Sequence, residues 1–349
     1  LQKGACRRLL NHIRMEDIST IEDAVEHLPK GEWLLWIGHH LNLDRKIMLL
    51  ENHLIYFDIT QICGIGCDFC MYSDKHTVKD HLILTNKARE NIAKIINHNE
   101  IKKVSISGEG EPLNNIKVFK EILLLSSGGI SFEFITSGNL SHDKLISFYN
   151  EVNQIISKNG DTCNIRLSTD FYHIPKIDYK PHGISIQYYL NNNLTNMTFS
   201  FRSIDIDKEF TRNYLQNELK QLNIESKILK VDELEDVLVI NNKNFQIDYK
   251  NLVKPTFLKN NEYMTLSEYV KAKEKKLGKN FTLGNINPEP LLNGMGITIK
   301  PNGDVYFYGI ESHLLGNIHI DNLNIDYFKN KIFTNQLIKT LYTKPFMEL

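Results

Sequence analysis

Between residues 54 and 168, short apolar runs alternate with longer amphipathic ones, and this alternation restricts the fold more than any other feature of the chain. The runs at 54–59, 103–107, 131–136 and 164–168 have the length and apolar content of buried strands. Between them, 85–98 sets Ala88, Ile92, Ile95 and Ile96 on one helical face, and 115–126 does the same with Ile116, Phe119, Ile122 and Leu123. A third helix, opened by a Ser141 cap, aligns Leu145, Phe148, Tyr149, Val152 and Ile156. Strands separated in series by helices pair in parallel through right-handed crossovers. The segment 170–182 carries Pro175 and Pro181 and reads as a crossover too short for a full helix. Strands at 184–190 and 197–203 are expected next. They are followed by a helix over 207–222 with Phe210, Leu215, Leu219 and Leu222 inward, and by a strand at 226–231. The count predicts an α/β chain forming an open, partial (β/α)6 barrel like part of a TIM barrel, rather than a closed eight-fold one.

Past residue 250 the alternation stops. The stretch 296–308 is a hairpin signature with Asn302-Gly303 as its turn. The expected organisation is a helical N-terminal extension (1–50), a core (51–240) and a small α+β C-terminal subdomain (241–349), within the range that 349 residues accommodate. With 42% hydrophobic and 24% charged residues, the composition is that of a soluble globular protein. A net charge of −1, with lysines and arginines dispersed, provides no basic field to attract nucleic acid. No apolar stretch approaches the roughly 20 residues of a membrane span. Nor does an apolar segment follow the charged residues 1–8 as a leader would require. Five cysteines, an odd number and mostly clustered, do not read as a disulfide framework. The expected location is the cytoplasm, and the expected partners are small molecules or a protein segment.

Three of those cysteines fall in Cys63-Gly-Ile-Gly-Cys67-Asp-Phe-Cys70, on the loop leaving the first strand. Three thiolates can hold three irons of a [4Fe–4S] cube and leave the fourth open to an outside ligand. An open metal position on a loop suits chemistry better than scaffolding. The competing reading is a structural zinc site completed by His76 or His81. The other strand ends weigh against zinc. The second strand runs into Ser107-Gly-Glu-Gly-Glu-Pro112, the third into Thr136-Ser-Gly-Asn139, and the fourth into Ser168-Thr-Asp170. Reactive groups in parallel α/β folds collect at the carboxyl ends of the strands, so these four loops are expected on one rim.

With these residues assembled, the chain resembles a radical S-adenosylmethionine (SAM) enzyme, whose C-x3-C-x-aromatic-C motif is matched by Cys63, Cys67, Phe69 and Cys70. The resemblance implies that the three cysteines hold a [4Fe–4S] cluster, that SAM chelates the open iron, and that Phe69 lies against the adenine. Gly110-Glu111-Pro112 resembles the end of the family's GGEP motif, which binds the methionyl amine; Gly108 precedes it, and Glu109 stands where the first glycine of the pair is usual. Ser137 and Asn139 resemble polar groups after the family's third strand, and Ser168 and Asp170 its ribose-binding residues. Arg166 or Arg202 would meet the SAM carboxylate. The 296–308 hairpin and Leu315-Gly-Asn-Ile318 resemble the opening of the family's SPASM or twitch extension. No cysteine follows Cys163, however, and Tyr308 stands where one is usual, so an auxiliary cluster is not expected. The implied reaction is reductive cleavage of SAM to a 5′-deoxyadenosyl radical, which abstracts hydrogen from a peptide, a natural product or a sugar. Flavodoxin or ferredoxin is the implied electron donor. A tRNA- or nucleotide-modifying member of the same superfamily and a non-catalytic metal-binding module are the alternatives.

Overall fold

The computed structural model describes residues 52–67, 70, 80–253, 264–285 and 294–348. The helical extension expected at 1–50 lies outside them, as does Phe69.

The alternation in the first half of the chain folds as its pattern requires. Strand β1 (His53–Asp58) is followed by helix α1 (Asn86–Ile96), β2 (Ile101–Ser107), α2 (Ile116–Leu124), β3 (Ser131–Thr136), α3 (His142–Asn159) and β4 (Thr162–Ser168). The hydroxyl of Thr85 caps α1 by accepting from the Ala88 amide at 3.1 Å. Ala88, Ile92, Ile95 and Ile96 are buried beneath that helix, together with Asn91. Helix α3 buries the five expected residues, and Ser141 occupies its N-cap position, although the serine hydroxyl makes no capping hydrogen bond. Phe119 of α2 stacks on Phe134 of β3 with ring centroids 4.2 Å apart, and Phe148 of α3 closes the cluster at 5.3 Å from Phe134.

The second half departs from expectation in two places. The run at 184–190 is not a strand but part of helix α4 (Pro181–Asn191), so the fourth crossover does contain a full helix. Pro181 lies in its first turn, where a fixed φ and a missing N–H cost nothing, and the Ser185 hydroxyl donates to the Pro181 carbonyl at 2.7 Å. The helix packs against α3 on one side and against α5 (Lys208–Gln221) on the other. It is therefore buried on both faces, His182 and Ser185 included, and its apolar residues do not fall on one stripe with a helical period.

The second departure concerns the sixth parallel strand. The segment expected at 226–231 forms β6 (Lys227–Lys230), an exposed edge strand antiparallel to β7 (Glu235–Ile240). The position beside β5 (Met197–Ile204) is taken instead by β8 (Lys243–Lys250), which pairs with it in parallel through Phe201–Ile247 to Ile204–Lys250. β8 buries Phe245, Ile247 and Tyr249 in alternation, whereas β6 has too little apolar surface for an interior place. Asn241 and Asn242, with φ of 47° and 63°, form the two-residue turn that reverses the chain between β7 and β8.

After α6 (Leu266–Leu277) come β9 (Gly296–Ile299), β10 (Asp304–Phe307) and β11 (Ile310–Asn317), then α7 (Ile325–Thr334) and α8 (Gln336–Thr343). β9 pairs in parallel with the free side of β1, and β10 and β11 extend the sheet antiparallel. The result is a mixed α/β molecule around one 11-stranded sheet of order β11-β10-β9-β1-β2-β3-β4-β5-β8-β7-β6, with a parallel central row from β9 to β8. The 240/241 boundary expected from sequence falls in the turn between β7 and β8, two strands of this one sheet. Asn91, fully buried on α1, pins the C-terminal part through its amide: Nδ2 donates to the carbonyls of Ile318 and Asp321, each at 2.8 Å, and Oδ1 accepts from the Leu323 amide. Among the described residues no helix is long and apolar enough to cross a membrane.

Candidate active site

Because β1, β2, β3, β4 and β5 run parallel in neighbouring register, the loops that leave them emerge at one edge of the sheet. The first two are joined by backbone hydrogen bonds. The Gly110 amide donates to the Thr60 carbonyl, and the Glu111 amide to the Ile62 carbonyl, both at 2.9 Å. A Cβ on Gly110 would stand 2.3 Å from the Ile62 oxygen, and one on Gly108 would stand 2.9 Å from the Thr60 oxygen. Glycine is thus required there for the contact between the two loops themselves. Asn115 adds to the fixture by donating to the carbonyls of Ile59 and Leu82 at 2.8 and 3.0 Å.

Beyond this anchored stem stand Cys63, Cys67 and Cys70, each half-buried and in no disulfide. The Cys70 amide donates to the Cys67 carbonyl at 3.0 Å, and Gly66 takes a left-handed φ of 63° between the first two. Among the described residues nothing lies within 4 Å of where a Cβ on Gly64 or Gly66 would be, and the Gly66 carbonyl accepts from the Lys176 ammonium. Among the described residues no three His, Cys, Asp or Glu side chains form a group that could hold a single metal ion. A cube spreads its thiolates over separate irons and does not need them to meet at one point. His76 lies outside the described residues; His81 joins Thr60 through a backbone bridge, and its Nδ1 is buried with no hydrogen-bond partner among the described residues. A half-exposed thiol set, in no disulfide and on a loop rooted at the strand ends, fits an iron–sulfur cluster.

Glu111 is bound on every side. Its Oε1 accepts from the Thr136 hydroxyl and from the Leu113 amide at 3.1 Å, and its Oε2 accepts from the Ser137 amide at 2.8 Å. It therefore ties the loop after β2 to the end of β3. The Asn139 Oδ1 accepts from the amides of Asp178 and Tyr179 at 3.0 and 3.1 Å, holding the next crossover in place. The Ser168 carbonyl accepts from Nε2 of His182 at 3.1 Å, and the Tyr214 hydroxyl lies 3.0 Å from Nδ1 of the same ring. Burial lowers the His182 pKa to about 3, so that ring is neutral.

Asp170 caps the turn that follows it, accepting from the amides of Tyr172 and His173 at 3.0 and 3.1 Å, and it also receives Nδ1 of His173 at 2.8–2.9 Å. His173 is half-buried, and its ring meets Asp170 and the Cys67 thiol. Burial works against its charge, but the hydrogen bonds to Asp170 and Cys67 outweigh this and raise its pKa to about 10.

Glu109 is explained by a residue far along the chain. Lys300, in the turn between β9 and β10, places its ammonium 2.8 Å from Glu109, 2.9 Å from Asp58 and 2.7 Å from Glu311. The Gln61 amide donates to the other Glu109 oxygen at 2.7 Å. Burial disfavours the lysine charge, yet the three carboxylates more than compensate and hold its pKa above the usual lysine value. Burial raises Asp58 to about 6 against the pull of Lys300. The acidic residue in place of the usual glycine thus clamps the β2 loop to the C-terminal hairpin. Lysine in a hairpin turn looks like solvent-facing punctuation in a sequence, and no local pattern marks its partners.

Arg166 pairs with Glu133, which also receives Lys103 at 2.8 Å and the Ser105 hydroxyl at 3.0 Å. Arg202 pairs with Asp248, its Nε 2.7 Å from Oδ2. Tyr56 and Tyr308 meet edge to face, 5.7 Å between centroids. Cys163 is buried among apolar neighbours, and burial pushes its thiol pKa up.

Residues 54–129 match the family model described as a 4Fe-4S single cluster domain, the stretch that spans the cysteine loop and the glycine–glutamate loop. Motif, loop order and this match together make the chain similar to the radical SAM enzymes, an iron–sulfur and SAM-dependent class. Among solved structures it is similar to native anSMEcpe with bound AdoMet and Cp18Cys peptide, at 13% identity over 83% of this chain and 82% of that one, with a TM-score of 0.48. It is also similar to BtrN in complex with AdoMet and 2-DOIA, at 12% identity over 84% of this chain and 88% of that one, with a TM-score of 0.42. No curated protein matches it.

Proposed function

We propose that this chain is a radical SAM enzyme. The observation that carries the reading is the anchored, half-exposed cysteine loop zipped to the glycine–glutamate loop, with the β3 and β4 loops at the same edge of the sheet. Cys63, Cys67 and Cys70 hold three irons and leave one for SAM. By the motif, Phe69 would meet the adenine, and the Gly108–Glu111 loop would receive the methionyl amine. Ser168 and Asp170 would meet the ribose, Ser137 and Asn139 would add polar groups after β3, and Arg166 or Arg202 would meet the carboxylate. When bound, the cluster supplies one electron to the SAM sulfonium, and the resulting 5′-deoxyadenosyl radical takes hydrogen from an unactivated C–H bond.

This chain's own residues orient and enclose. Glu111 fixes the β2 and β3 loops relative to each other, Asp170 and His173 brace the Cys67 side, and Lys300 seats the C-terminal hairpin against the opening. In this reading 51–240 is the catalytic core. Residues 241–349 complete its sheet and form a SPASM/twitch-like cover without an auxiliary cluster. The partial barrel, a peptide or natural-product substrate (sugars included), a flavodoxin or ferredoxin donor and a cytoplasmic setting belong to the same proposal.

The test is chemical. Anaerobically reconstituted protein should contain about four irons and four sulfides, as the cluster formula requires. On reduction with SAM it should release 5′-deoxyadenosine, and Cys67→Ala should not. Zinc bound in place of iron would overturn the reading.

A further inference from the structure

The crossover between β4 and α4 meets the cysteine loop with the side chains of Lys176 and His173. The Lys176 ammonium donates to the Gly66 carbonyl, and the His173 ring meets the thiol of Cys67, the next residue of the loop. The crossover itself is firmly seated. Ile174 and Ile177 are buried in the core beneath it, the Asn139 side chain accepts from the amides of Asp178 and Tyr179, and the Phe171 amide donates to Asp207 at 3.0 Å. Asp170 orients the ring. Its carboxylate, in a side chain only 5% exposed, accepts Nδ1 of His173 at 2.9 Å through Oδ1 and at 2.8 Å through Oδ2. With Nδ1 engaged there, Nε2 is the nitrogen left for the sulfur. The turn does not call for an imidazole. The Asp170 carboxylate on the amides of Tyr172 and His173, with the Asp170 carbonyl accepting from the Ile174 amide at 3.1 Å, already closes it. A ring turned by a carboxylate on one side and facing a metal-ligating sulfur on the other has the form of an outer-shell partner of a metal centre.

We propose that His173 is a positioning residue for the iron–sulfur cluster: oriented by Asp170, it donates a hydrogen bond from Nε2 to the Cys67 sulfur and so raises the reduction potential of the cluster. This rests on the radical SAM reading and adds to its site a residue outside the cysteine motif. A thiolate bound to iron has no proton to give, so the ring is the donor. Reduction adds negative charge to the cluster, and a donor on a ligating sulfur favours the reduced form; hydrogen bonds to the sulfurs are among the factors that set such potentials. The Lys176 ammonium on the neighbouring carbonyl holds the loop within reach of the ring. Asp170 keeps a lone pair on Oδ2 that the ring does not use, so a contact with the ribose is compatible with this role.

The experiment is a redox titration of the anaerobically reconstituted full chain, without SAM, followed by electron paramagnetic resonance. Wild type is compared with His173→Phe, which keeps an aromatic ring without a donor, and with His173→Gln, which keeps a donor without the ring. With iron content equal to wild type, His173→Phe is expected to shift the reduction equilibrium about 10-fold or more toward the oxidised cluster, a fall of about 59 mV for one electron, and His173→Gln to regain most of it. A potential unchanged or raised in His173→Phe overturns the proposal. So does an equal fall in both variants, since the ring would then act by its shape. Where His173→Phe holds no iron, His173→Gln decides: wild-type iron content and potential support the donor, and a lost cluster or a 10-fold shift overturns it. Each of these results leaves the radical SAM reading standing. A wild-type chain that takes up zinc or assembles no cluster sinks both.

Discussion

Lys300 and Glu109 lie 191 positions apart in sequence and meet at 2.8 Å. Removing the lysine charge leaves Asp58 and Glu109 facing each other without their common partner. Breaking a buried ion pair from one side costs about 3–5 kcal/mol, and Lys300→Met should destabilise the fold by that order, measured by urea unfolding. Adding Glu109→Gln should restore part of the loss, because Asp58, already at about 6, then takes up a proton at little cost. Strictly additive effects would show that the two side chains do not act as a unit. Glu109 also marks where reading residues from sequence stops. Its place in the motif was legible, but the direction of its carboxylate was not, because the partner that decides it belongs to a distant turn.

A second group of residues governs acid stability. His53, buried at the start of β1, accepts the Met295 amide at Nδ1 and meets Glu100 at Nε2, an arrangement that only the neutral ring can make. Burial, partly offset by Glu100, lowers its pKa below the ordinary 6.5. For Glu100, burial works to raise the pKa, but hydrogen bonds from His53 and Lys329 bring it from 4.5 to about 2. Since His53 is neutral, Lys329 is the charged partner that matters. Both pKa values are depressed, so both groups contribute fully above their ordinary values and lose that contribution as pH falls. Thermal unfolding should therefore shift downward below pH 6.5 and again between 4.5 and about 2, and Lys329→Met should flatten the second step.

At the scale of elements, helices buried on one face were legible and α4, buried on both, was not. Helix α4 buries Ile186 and Tyr188 along with Pro181, His182 and Ser185, and nothing in its pattern separates it from a strand. The sixth parallel strand was missed for another reason. Asn241-Asn242 is a two-residue turn whose left-handed backbone reverses the chain, and it converts an expected βα unit into the β6–β7–β8 meander. Arg212 secures that meander to α5 through both oxygens of Asp236, at 2.7 and 3.0 Å, with the Tyr249 hydroxyl adding a third bond. The core between α2, α3 and β3 is where apolar packing contributes most directly. Phe134→Ala removes a fully buried ring stacked on Phe119 and should cost about 3–5 kcal/mol in unfolding free energy. A loss below 1 kcal/mol would mean that the neighbouring rings collapse into the space.

For the molecule as a whole, the parallel row and the four loops at its carboxyl edge followed from hydrophobic periodicity and from the order of motifs, because both are written locally. How the C-terminal part attaches was not local. β9 adds in parallel to β1, and Asn91, polar on an otherwise apolar helical face, is the one sign in the sequence that α1 binds something beyond the sheet. The consequence is a closed dependence: the cysteine loop rests on the glycine–glutamate loop, which is clamped by Lys300, which is carried by the β9–β10 turn. The central claim remains that three sulfurs on the rooted loop leave one iron open to SAM. The most direct measurement is electron paramagnetic resonance of the anaerobically reconstituted, reduced protein before and after SAM is added. The account predicts a cluster signal whose spectrum changes on addition and is absent from Cys67→Ala. A signal that SAM leaves unaltered would contradict it.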